Sequence, residues 1–376
     1  MASAVRRVRD SGVQPQWAGR PVQLVYRDSA GEEAKAMEAM KDLVLNEHVA
    51  AIIGPLTSQE VQGPAELAED LEIPLITLTQ KENITDVGPW VFRNFPTPER
   101  QFGTLAKFAH DEMGVQRLAI LYPETRYGTW FATLMWDEAE ELGVEVTAVE
   151  PYMSGGDDYT PVAQRLAGKF YIEPRADELR NLRWKAKNDD DPKNDDHVEL
   201  PAIVDFDALF IADHYRAAGL LAPALAYVEI PIGSFTVDKR KPIPLLGGNT
   251  WNNPELARIG GEYAVGATFV ADFFAGASLP ETQDFVSAYK KAYGAVPETF
   301  AAHGYDSVAV LMHVLAPSEP HSRAEVRDRL QAVEPYKGAT GTFTFAPNGD
   351  LDREPFILRI NRRRNIVQVY PPVETP

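Results

Sequence analysis

The sequence of 376 residues contains no cysteine. This absence excludes disulfide bonds, thiolate metal sites and cysteine nucleophiles. Positive charge is also scarce, because 37 lysines and arginines stand against 55 aspartates and glutamates, which gives a formal net charge of −18. Nucleic acids and anionic membrane surfaces repel such a chain, so neither is expected as a partner. The basic triplet Arg362-Arg363-Arg364 is typical of a solvated turn between two short strands.

Long apolar runs are missing as well. No run reaches the roughly 18 residues that a membrane-spanning helix needs, so the sequence predicts no membrane span. No signal peptide opens the chain, because Met1 is followed by ASAVRRVRD, which is typical of the end of a helix. We therefore expect a processed or shortened chain if the protein works outside the cytoplasm.

Motifs of catalysis and metal binding are absent from the sequence. There is no Gly-x-Ser-x-Gly elbow, no His-Glu-x-x-His zinc helix and no phosphate loop ending in Gly-Lys-Ser or Gly-Lys-Thr. The seven histidines have no metal-like spacing. The sequence therefore predicts no enzyme, no metal site and no bound cofactor.

Strand-like and helix-like segments alternate along most of the chain. Strands are predicted at 22–26, 50–53, 74–78, 118–122, 144–149, 208–212 and 243–246. Helical stripes lie between them, for example at 127–142 and 215–227. This order predicts an α/β fold with largely parallel, doubly wound sheets. After residue 249 the pattern changes to a strand at 264–270, helices at 281–293, 299–315 and 322–333, and a hairpin-like end.

The stretch AAIIGPLTS at 50–58 marks a candidate ligand site. A short apolar strand stops at Gly54-Pro55, and the polar pair Thr57-Ser58 precedes a helical segment. Ligands of open α/β sheets bind at the carboxyl ends of strands, against helix N-termini whose free N–H groups attract anions. The alternative is a strand–turn–helix junction that only connects two elements.

Residues 171–205 interrupt the alternation. They contain WKAKNDDDPKNDDHVEL, which is rich in charge and poor in apolar residues. We expect an exposed inserted loop, mobile and protease-sensitive over 183–200, because it buries too little apolar surface to offset its ordering entropy. The aspartates do not form an EF-hand loop, because Asn194 and Leu200 stand where that loop requires Gly and Glu.

The order of segments resembles the type I periplasmic solute-binding proteins, the branched-chain amino-acid-binding family. The likeness extends from about residue 20 to about residue 370 and is clearest in PVQLVYRDSAG at 21–31, IPLITLTQ at 73–80, RLAILYPETRYGTWFA at 117–132 and AAHGYDSVAVL at 301–311. It implies two doubly wound, Rossmann-like lobes that share a three-segment hinge, with the ligand in the cleft between them. Lobe 1 would be residues 1–122 plus 253–337, and lobe 2 residues 123–252 plus 338–376. The family's first strand and first ligand loop have no counterpart in the sequence, so we expect both to be missing.

The resemblance assigns seven candidate ligand-binding residues, which we expect to converge on the cleft. They are Ser58, Thr79, Lys81, Tyr127, His214, Asn249 and Trp251. Ser58 aligns with a hydroxyl that holds the ligand carboxylate, although it also suits a helix cap. Lys81 favours an anionic ligand if it faces the cleft, and is otherwise a surface residue. Tyr127 and Trp251 suit either a wall of the cleft or packing at the hinge.

Asn249 is the residue on which the expected ligand specificity depends. The amino-acid binders have an acidic residue here for the ammonium group of their ligand, and a desolvated ammonium without a carboxylate partner is costly. The resemblance therefore implies a polar ligand, with a carboxylate or similar anion, that is not a simple branched-chain amino acid.

Two functions follow from the resemblance. The first is a periplasmic or other extracytoplasmic binding protein for a small-molecule ligand, which serves ABC-type uptake or sensing with an ABC transporter permease. A chain derived from a lipoprotein is compatible with the same location. The second is a partner-binding module, because VDFDALFIADHYRAAGLLAPALAYVEI also resembles the solute-binding-like domain of lipoprotein activators of penicillin-binding proteins, which contact a peptidoglycan synthase. Their helix pattern is matched only in part, by Arg216 and Pro223.

Overall fold

A computed structural model describes the chain over most of its length. The described residues are 16–17, 20–21, 23–156, 158–187, 198–236, 240–316 and 322–372. The chain divides into two compact units, Met1–Arg100 with Asp272–Phe356 (unit 1) and Gln101–Ala271 with Ile357–Pro376 (unit 2). Both units combine helices with sheets, as the alternation of segments predicts.

Unit 1 contains a parallel sheet, a three-stranded antiparallel sheet and a separate antiparallel pair of short strands. The parallel sheet has the order β3 (Ile52–Ile53), β4 (Leu75–Thr77) and β5 (Val91–Arg93). The antiparallel sheet has the order β11 (Tyr336–Gly338), β12 (Gly341–Phe345) and β13 (Leu351–Asp352), and β1 (Gln16–Trp17) pairs with β2 (Arg20–Pro21). The helices are α1 (Glu33–Leu45), α2 (Gln62–Asp70), α9 (Pro280–Tyr293), α10 (Thr299–Leu315) and α11 (Arg323–Gln331). The strand expected at 22–26 does not form over residues 23–26, so β3 is an edge strand of the described sheet.

Alternating side chains of β4 and β5 serve two separate cores in unit 1. Leu75 and Val91 pack with apolar residues of α1 and α2. Ile76 and Phe92 belong instead to a cluster with residues of α10, α11 and β12. Successive side chains of a strand point to opposite faces, so each of these short strands needs apolar residues throughout. The continuous apolar run of IPLITL follows from this arrangement.

Unit 2 is built on a seven-stranded sheet of order β15-β14-β10-β9-β8-β6-β7. Its strands are β6 (Arg117–Pro123), β7 (Glu145–Tyr152), β8 (Ala208–Ile211), β9 (Leu245–Gly247), β10 (Thr268–Ala271), β14 (Phe356–Ile360) and β15 (Ile366–Tyr370). Strands β6 to β10 are parallel, and β14 and β15 form an antiparallel hairpin. The basic triplet 362–364 lies in the turn of this hairpin, as predicted.

The helices of unit 2 are α3 (Pro98–Met113), α4 (Arg126–Glu141), α5 (Thr160–Leu166), α6 (Ala176–Lys187), α7 (Tyr215–Tyr227) and α8 (Pro254–Gly260). All of them except α6 bury apolar side chains. In α3 the buried residues Phe102, Leu105, Ala106 and Ala109 follow the helical period and join the core that contains β6 and β8. No described helix is both long and apolar enough to cross a membrane.

The unit boundaries lie away from those expected at residues 122, 253 and 337. Strand β6 pairs with β7 and β8, which places residues 117–122 in unit 2. Strand β10 pairs with β9 in the same sheet, whereas residues 338–352 belong to the antiparallel sheet of unit 1. Local patterns reveal a strand but not the sheet that it joins, because strand pairing depends on residues far away in the sequence.

The insert differs from the loop that its composition predicts. Residues 176–187 form helix α6, which buries none of its side chains. Asp177 and Glu178 lie in its first turn and Lys185 and Lys187 in its last, where each charge suits the helix dipole. The helix therefore forms without burying a face, and its terminal charges favour it. The aspartates 189–191, 195 and 196 and most of the segment predicted to be mobile lie outside the described residues.

Candidate functional site

Three of the predicted residues lie together at the strand ends of unit 1. The Ser58 Oγ and Thr79 Oγ1 atoms are 3.1 Å apart, within hydrogen-bonding distance. The backbone N–H of Lys81 donates to Thr79 Oγ1 at 3.1 Å. Thr79 is buried, whereas Ser58 is exposed. We call Ser58, Thr79 and Lys81 the unit 1 cluster.

Ser58 is not the cap of the helix that follows it. Helix α2 begins at Gln62, and the Ser58 hydroxyl meets Thr79 instead. Glu60 fixes the intervening turn, because its Oε1 accepts hydrogen bonds from the Thr57 backbone N–H at 3.1 Å and the Thr57 hydroxyl at 3.0 Å. Burial opposes ionisation of Glu60, but hydrogen bonds from Ser29 and Thr57 outweigh it and lower the pKa of this carboxyl. The turn therefore carries a fixed negative charge at neutral pH.

Arg93 holds the segment that carries Lys81. Its Nη1 donates to the Lys81 carbonyl at 2.6 Å, and its Nη2 lies 2.6 Å from Asp350 Oδ1 in an ion pair whose arginine is buried and whose aspartate is partly exposed. The Lys81 side chain is half-buried, and in the described part of the chain it forms no ion pair. A lysine without an ion-pair partner among the described residues therefore follows Thr79 by two residues.

Most of the remaining candidates meet around an aspartate that the sequence analysis did not select. Asp213 Oδ2 accepts a hydrogen bond from the Tyr152 hydroxyl at 2.8 Å, and Oδ1 accepts one from the His214 backbone N–H at 2.7 Å. The Asp213 carbonyl accepts a hydrogen bond from Trp251 Nε1 at 2.8 Å. We call Tyr127, Tyr152, Asp213, His214 and Trp251 the Asp213 cluster.

Parallel strand order brings the Asp213 cluster together. Tyr152 is the last residue of β7, Asp213 follows β8, and Trp251 follows β9. Tyr127 lies in the first turn of α4, which follows β6. The carboxyl ends of parallel strands share one edge of the sheet, so residues far apart in sequence become neighbours there.

Two tyrosines of the Asp213 cluster stay protonated at neutral pH. Burial raises the pKa of Tyr127, and the charge of Asp213 raises it further. The pKa of Tyr152 is raised by the same two causes in the same order. Tyr127 also packs on Phe131 at a ring-centroid distance of 4.0 Å and hydrogen-bonds with Thr250. Both hydroxyls are therefore hydrogen-bond donors rather than anions.

His214 caps helix α7. Its Nδ1 accepts a hydrogen bond from the Arg216 backbone N–H at 3.2 Å, and its Nε2 lies 3.7 Å from Asp213 Oδ1. Half of its side chain, 54%, is exposed. The ring therefore has a structural role that leaves one edge free for a ligand.

Trp251 and Asn249 belong to the short 3₁₀ helix Asn249–Trp251. Trp251 is fully buried, and its ring lies 6.2 Å from that of Phe269. This burial fits the packing role rather than an exposed wall. Asn249 is half-buried at the start of the 3₁₀ helix. That all seven candidates line one cavity stays a prediction.

Sequence reasoning missed Asp213 and Tyr152. One signal was available, because an acidic residue directly after a buried apolar strand, as in FIAD, stands at the ligand-binding edge of a parallel sheet. The consequence concerns Asn249. The prediction from Asn249 assumed that no acidic residue lies nearby, whereas the structure places the backbone carbonyl of Asp213 2.8 Å from Nε1 of Trp251, which follows Asn249 by two residues. Among the described residues, no group of three or more acidic or histidine side chains is arranged to hold a metal ion.

Comparison with known proteins gives one family. The model of a family described as periplasmic binding protein matches residues 3–169 and 238–365. The Leu/Ile/Val-binding protein of Escherichia coli (strain K12) is 26% identical over 165 residues, which are 43% of this chain and 45% of that protein. The match thus spans less than half the length of this curated relative.

Solved structures with the same fold cover nearly the whole chain. An ABC transporter substrate-binding protein from Sphaerobacter thermophilus aligns with a TM-score of 0.71 at 20% identity and covers 98% of this chain and 91% of its own. A solute-binding protein of an ABC transporter from Rhodopseudomonas palustris BisB5 was solved in complex with 3,4-dihydroxybenzoic acid. It aligns with a TM-score of 0.67 at 17% identity, and the alignment covers 98% of this chain and 89% of that protein. At these identities the likeness shows the type I periplasmic binding fold.

Proposed function

Because this chain belongs to the periplasmic binding protein family, we propose that it is an extracytoplasmic solute-binding protein for ABC-type uptake or sensing. Its partner is then an ABC transporter permease. The solute is polar and carries a carboxylate or a similar anion, and it is bound without being chemically changed. The location outside the cytoplasm follows the family.

The unit 1 cluster carries this proposal. The two hydroxyls, hydrogen-bonded to each other at 3.1 Å, leave one O–H proton to donate to an anionic group. Lys81, half-buried and without an ion pair among the described residues, adds the positive charge. Hydrogen bonds from charged donors to carboxylates are roughly twice as strong as those between neutral groups. The relative that binds 3,4-dihydroxybenzoic acid is a further member of this fold with a carboxylate-bearing ligand.

The polarity of the residues argues against a branched aliphatic solute. The unit 1 cluster presents hydroxyl and ammonium groups, and the Asp213 cluster presents phenol, imidazole and carboxylate groups. A branched aliphatic side chain gains its binding energy from apolar walls. We therefore keep the proposal to a polar solute other than leucine, isoleucine or valine.

Isothermal titration calorimetry with a panel of carboxylates tests the proposal. The panel holds benzoate, 3,4-dihydroxybenzoate, glutarate and L-glutamate, each titrated into the intact chain. We expect at least one to bind, and Ser58→Ala to weaken that binding by about tenfold, the loss of roughly one charge-assisted hydrogen bond. Ser287→Ala, a matched change at an exposed serine of α9, should leave the dissociation constant within about twofold. Equal binding by the Ser58→Ala variant, or no binding of any carboxylate, would overturn the proposal.

No contact in the described part of the chain favours the alternative, a module that contacts a peptidoglycan synthase. Arg216 and Pro223 both lie in α7, where Pro223 is an interior residue of the helix and the Arg216 backbone N–H serves the His214 cap. These roles are local to the helix. A pull-down with peptidoglycan synthases remains the direct measurement for that alternative.

A further inference from the structure

Helix α6 leaves all of its side chains at or near the surface of unit 2. None of its 12 residues is buried, and Trp184 is 68% exposed. An isolated helix of this length is marginal in water, and most helices in proteins are stabilised by packing of one face. The segment 170–172 just before the helix is exposed as well, with 42% of Phe170 and 61% of Tyr171 accessible. The insert therefore presents large apolar side chains to water.

One face of α6 combines its tryptophan with positive charge. Arg180, Arg183, Trp184 and Lys187 stand at positions i, i+3, i+4 and i+7, which share one side of an α-helix. All four side chains are exposed. We call these four residues the α6 stripe. At a rise of roughly 1.5 Å per residue the stripe is about 10 Å long.

The C-terminal half of the α6 stripe has positive charge to offer to a partner. Asp177 forms an ion pair with Arg180 near the start of the helix. Arg183 and Lys187 form no ion pair within the described ranges of the chain. The helix dipole favours cations in the last turn, which explains the charge there. It does not explain why the exposed Trp184 stands on the same face.

The basic character of the α6 stripe contrasts with the formal net charge of the chain, which is −18. An anionic membrane is a plane of charge, so it would meet the acidic remainder of the surface and be repelled. At physiological ionic strength, charges further apart than about 8 Å are largely screened, so a narrow acidic segment feels mainly the stripe. Tryptophan and arginine are also the residues that most often dominate the binding energy of protein interfaces. The stripe therefore suits a protein segment better than a lipid surface.

We propose that the α6 stripe is a docking site for an acidic segment of a partner protein. Carboxylates of the segment pair with Arg183 and Lys187, and an apolar side chain of the segment packs on Trp184. A stripe of about 10 Å matches roughly three residues of an extended chain or about two turns of a helix. The site lies wholly within α6 and uses none of the residues proposed to bind the solute, so it is independent of the proposed function.

Photocrosslinking in the cells that encode the chain tests this inference. Trp184→p-benzoylphenylalanine keeps an aromatic side chain in the stripe and makes it photoreactive. The intact chain is irradiated in the cells, and the crosslinked peptide is identified by mass spectrometry. We expect one protein, joined through a segment in which acidic residues outnumber basic ones. Trp136→p-benzoylphenylalanine, at a tryptophan of α4 that is 38% exposed, should not capture that segment.

Charge reversal separates docking from folding. Arg183→Glu combined with Lys187→Glu, in the chain that carries the crosslinker, should lower the yield of the crosslink by at least about fivefold. Lys290→Glu combined with Lys291→Glu is the matched control, because it makes the same change of charge in the last turn of α9. The control should keep the yield within about twofold. Melting temperatures of both variants report any general loss of stability.

Every result of this experiment bears on the inference. Capture of one acidic segment, lost on charge reversal in α6 but kept in the α9 control, supports it. Capture of a neutral or basic segment, or an equal yield after charge reversal, overturns it. Lipid adducts would show that the stripe faces a membrane instead. Crosslinks only within the chain, for example to the aspartates at 189–191, or no crosslink specific to position 184, would show that no partner docks there.

Discussion

The Tyr152 hydroxyl donates a 2.8 Å hydrogen bond to Asp213, which joins the carboxyl ends of β7 and β8. Tyr152 is 5% exposed, and the Asp213 side chain is 10% exposed. The bond is therefore shielded from water and connects two neighbours of β6 that are not paired with each other. It should stabilise unit 2 as well as orient the carboxylate.

Removing this hydrogen bond should lower stability. We expect Tyr152→Phe to reduce the free energy of unfolding by about 1–3 kcal/mol, because the charged acceptor loses its donor. Urea denaturation followed by circular dichroism measures the change. Tyr227→Phe is the matched control, since Tyr227 is 76% exposed and should cost less than about 0.5 kcal/mol. Equal effects of the two changes would contradict the expectation.

The first turn of α4 should depend on Thr125. Its hydroxyl accepts a hydrogen bond from the Gly128 backbone N–H at 3.0 Å, which caps the helix that carries Tyr127. We expect Thr125→Ala to cost about 1 kcal/mol of stability. Thr133→Ala, at an exposed position inside the same helix, should cost less, because the Thr133 hydroxyl donates to the Thr129 carbonyl, which the helix already satisfies. Thermal or urea unfolding of both variants measures the two losses of stability, and the loss in Thr125→Ala should be the larger.

Acid should destabilise unit 1 through His303. This residue is fully buried, and within the described residues its ring nitrogens have no well-formed hydrogen bond. Burial, with the charge of Arg353, lowers its pKa well below the usual range and outweighs an opposing interaction with the Asn94 backbone. His303 therefore binds a proton near pH ~6.5 in the unfolded chain but stays neutral at that pH in the folded chain. Stability is complete above that pH and is lost as the pH falls from about 6.5 towards the folded pKa, by up to ~1.4 kcal/mol per pH unit.

His303→Phe is the variant that checks this slope. It should keep stability at pH 7.5 within about 1 kcal/mol, because no hydrogen bond of the ring is lost. It should also reduce the loss of stability between about pH 6.5 and pH 5. His48→Asn, at an exposed position whose left-handed backbone (φ 55°) suits asparagine, should leave the slope unchanged. An unaltered slope in His303→Phe would exclude His303 as its source.

Free leucine, isoleucine and valine should bind weakly. The described polar clusters present few apolar contacts to a branched side chain, which otherwise supplies about 1.5–3 kcal/mol when fully buried. We expect dissociation constants weaker than about 100 µM in calorimetry. A micromolar or tighter constant, about −8 kcal/mol or better, would show that the chain is an ordinary branched-chain amino-acid binder.

Much of the fold was predictable because its signals are local. The apolar run LAILY and the helix that starts near Tyr127 were identified from periodicity, and the structure shows β6 and α4 there. The late helices at 281–293 and 299–315 likewise match α9 and α10 closely. Periodicity reports which face a residue presents, and that information lies within a few turns of chain.

Features that depend on residues far apart in the chain could not be predicted from the sequence. Strand β6 pairs with β7 and β8 in one sheet, and the local pattern around residue 122 does not contain those partners. Helix α6 was missed because the segment is highly charged and none of its side chains is buried. Asp213 was passed over in favour of Asn249, because a single chain does not show which strand end receives which neighbour.

The two ends of β8 differ in how their charges are balanced. Asp207 at one end pairs with Arg117 and accepts two backbone N–H bonds, whereas the donors that contact the Asp213 carboxylate within the described residues are neutral. A solute that binds only the folded chain shifts the unfolding equilibrium by mass action, by about 2.7 kcal/mol at a hundred times its dissociation constant. The melting temperature of the chain thus becomes a reporter of its own solute, and a metabolite extract that raises it in the wild type but not in Ser58→Ala contains a molecule that the unit 1 cluster holds.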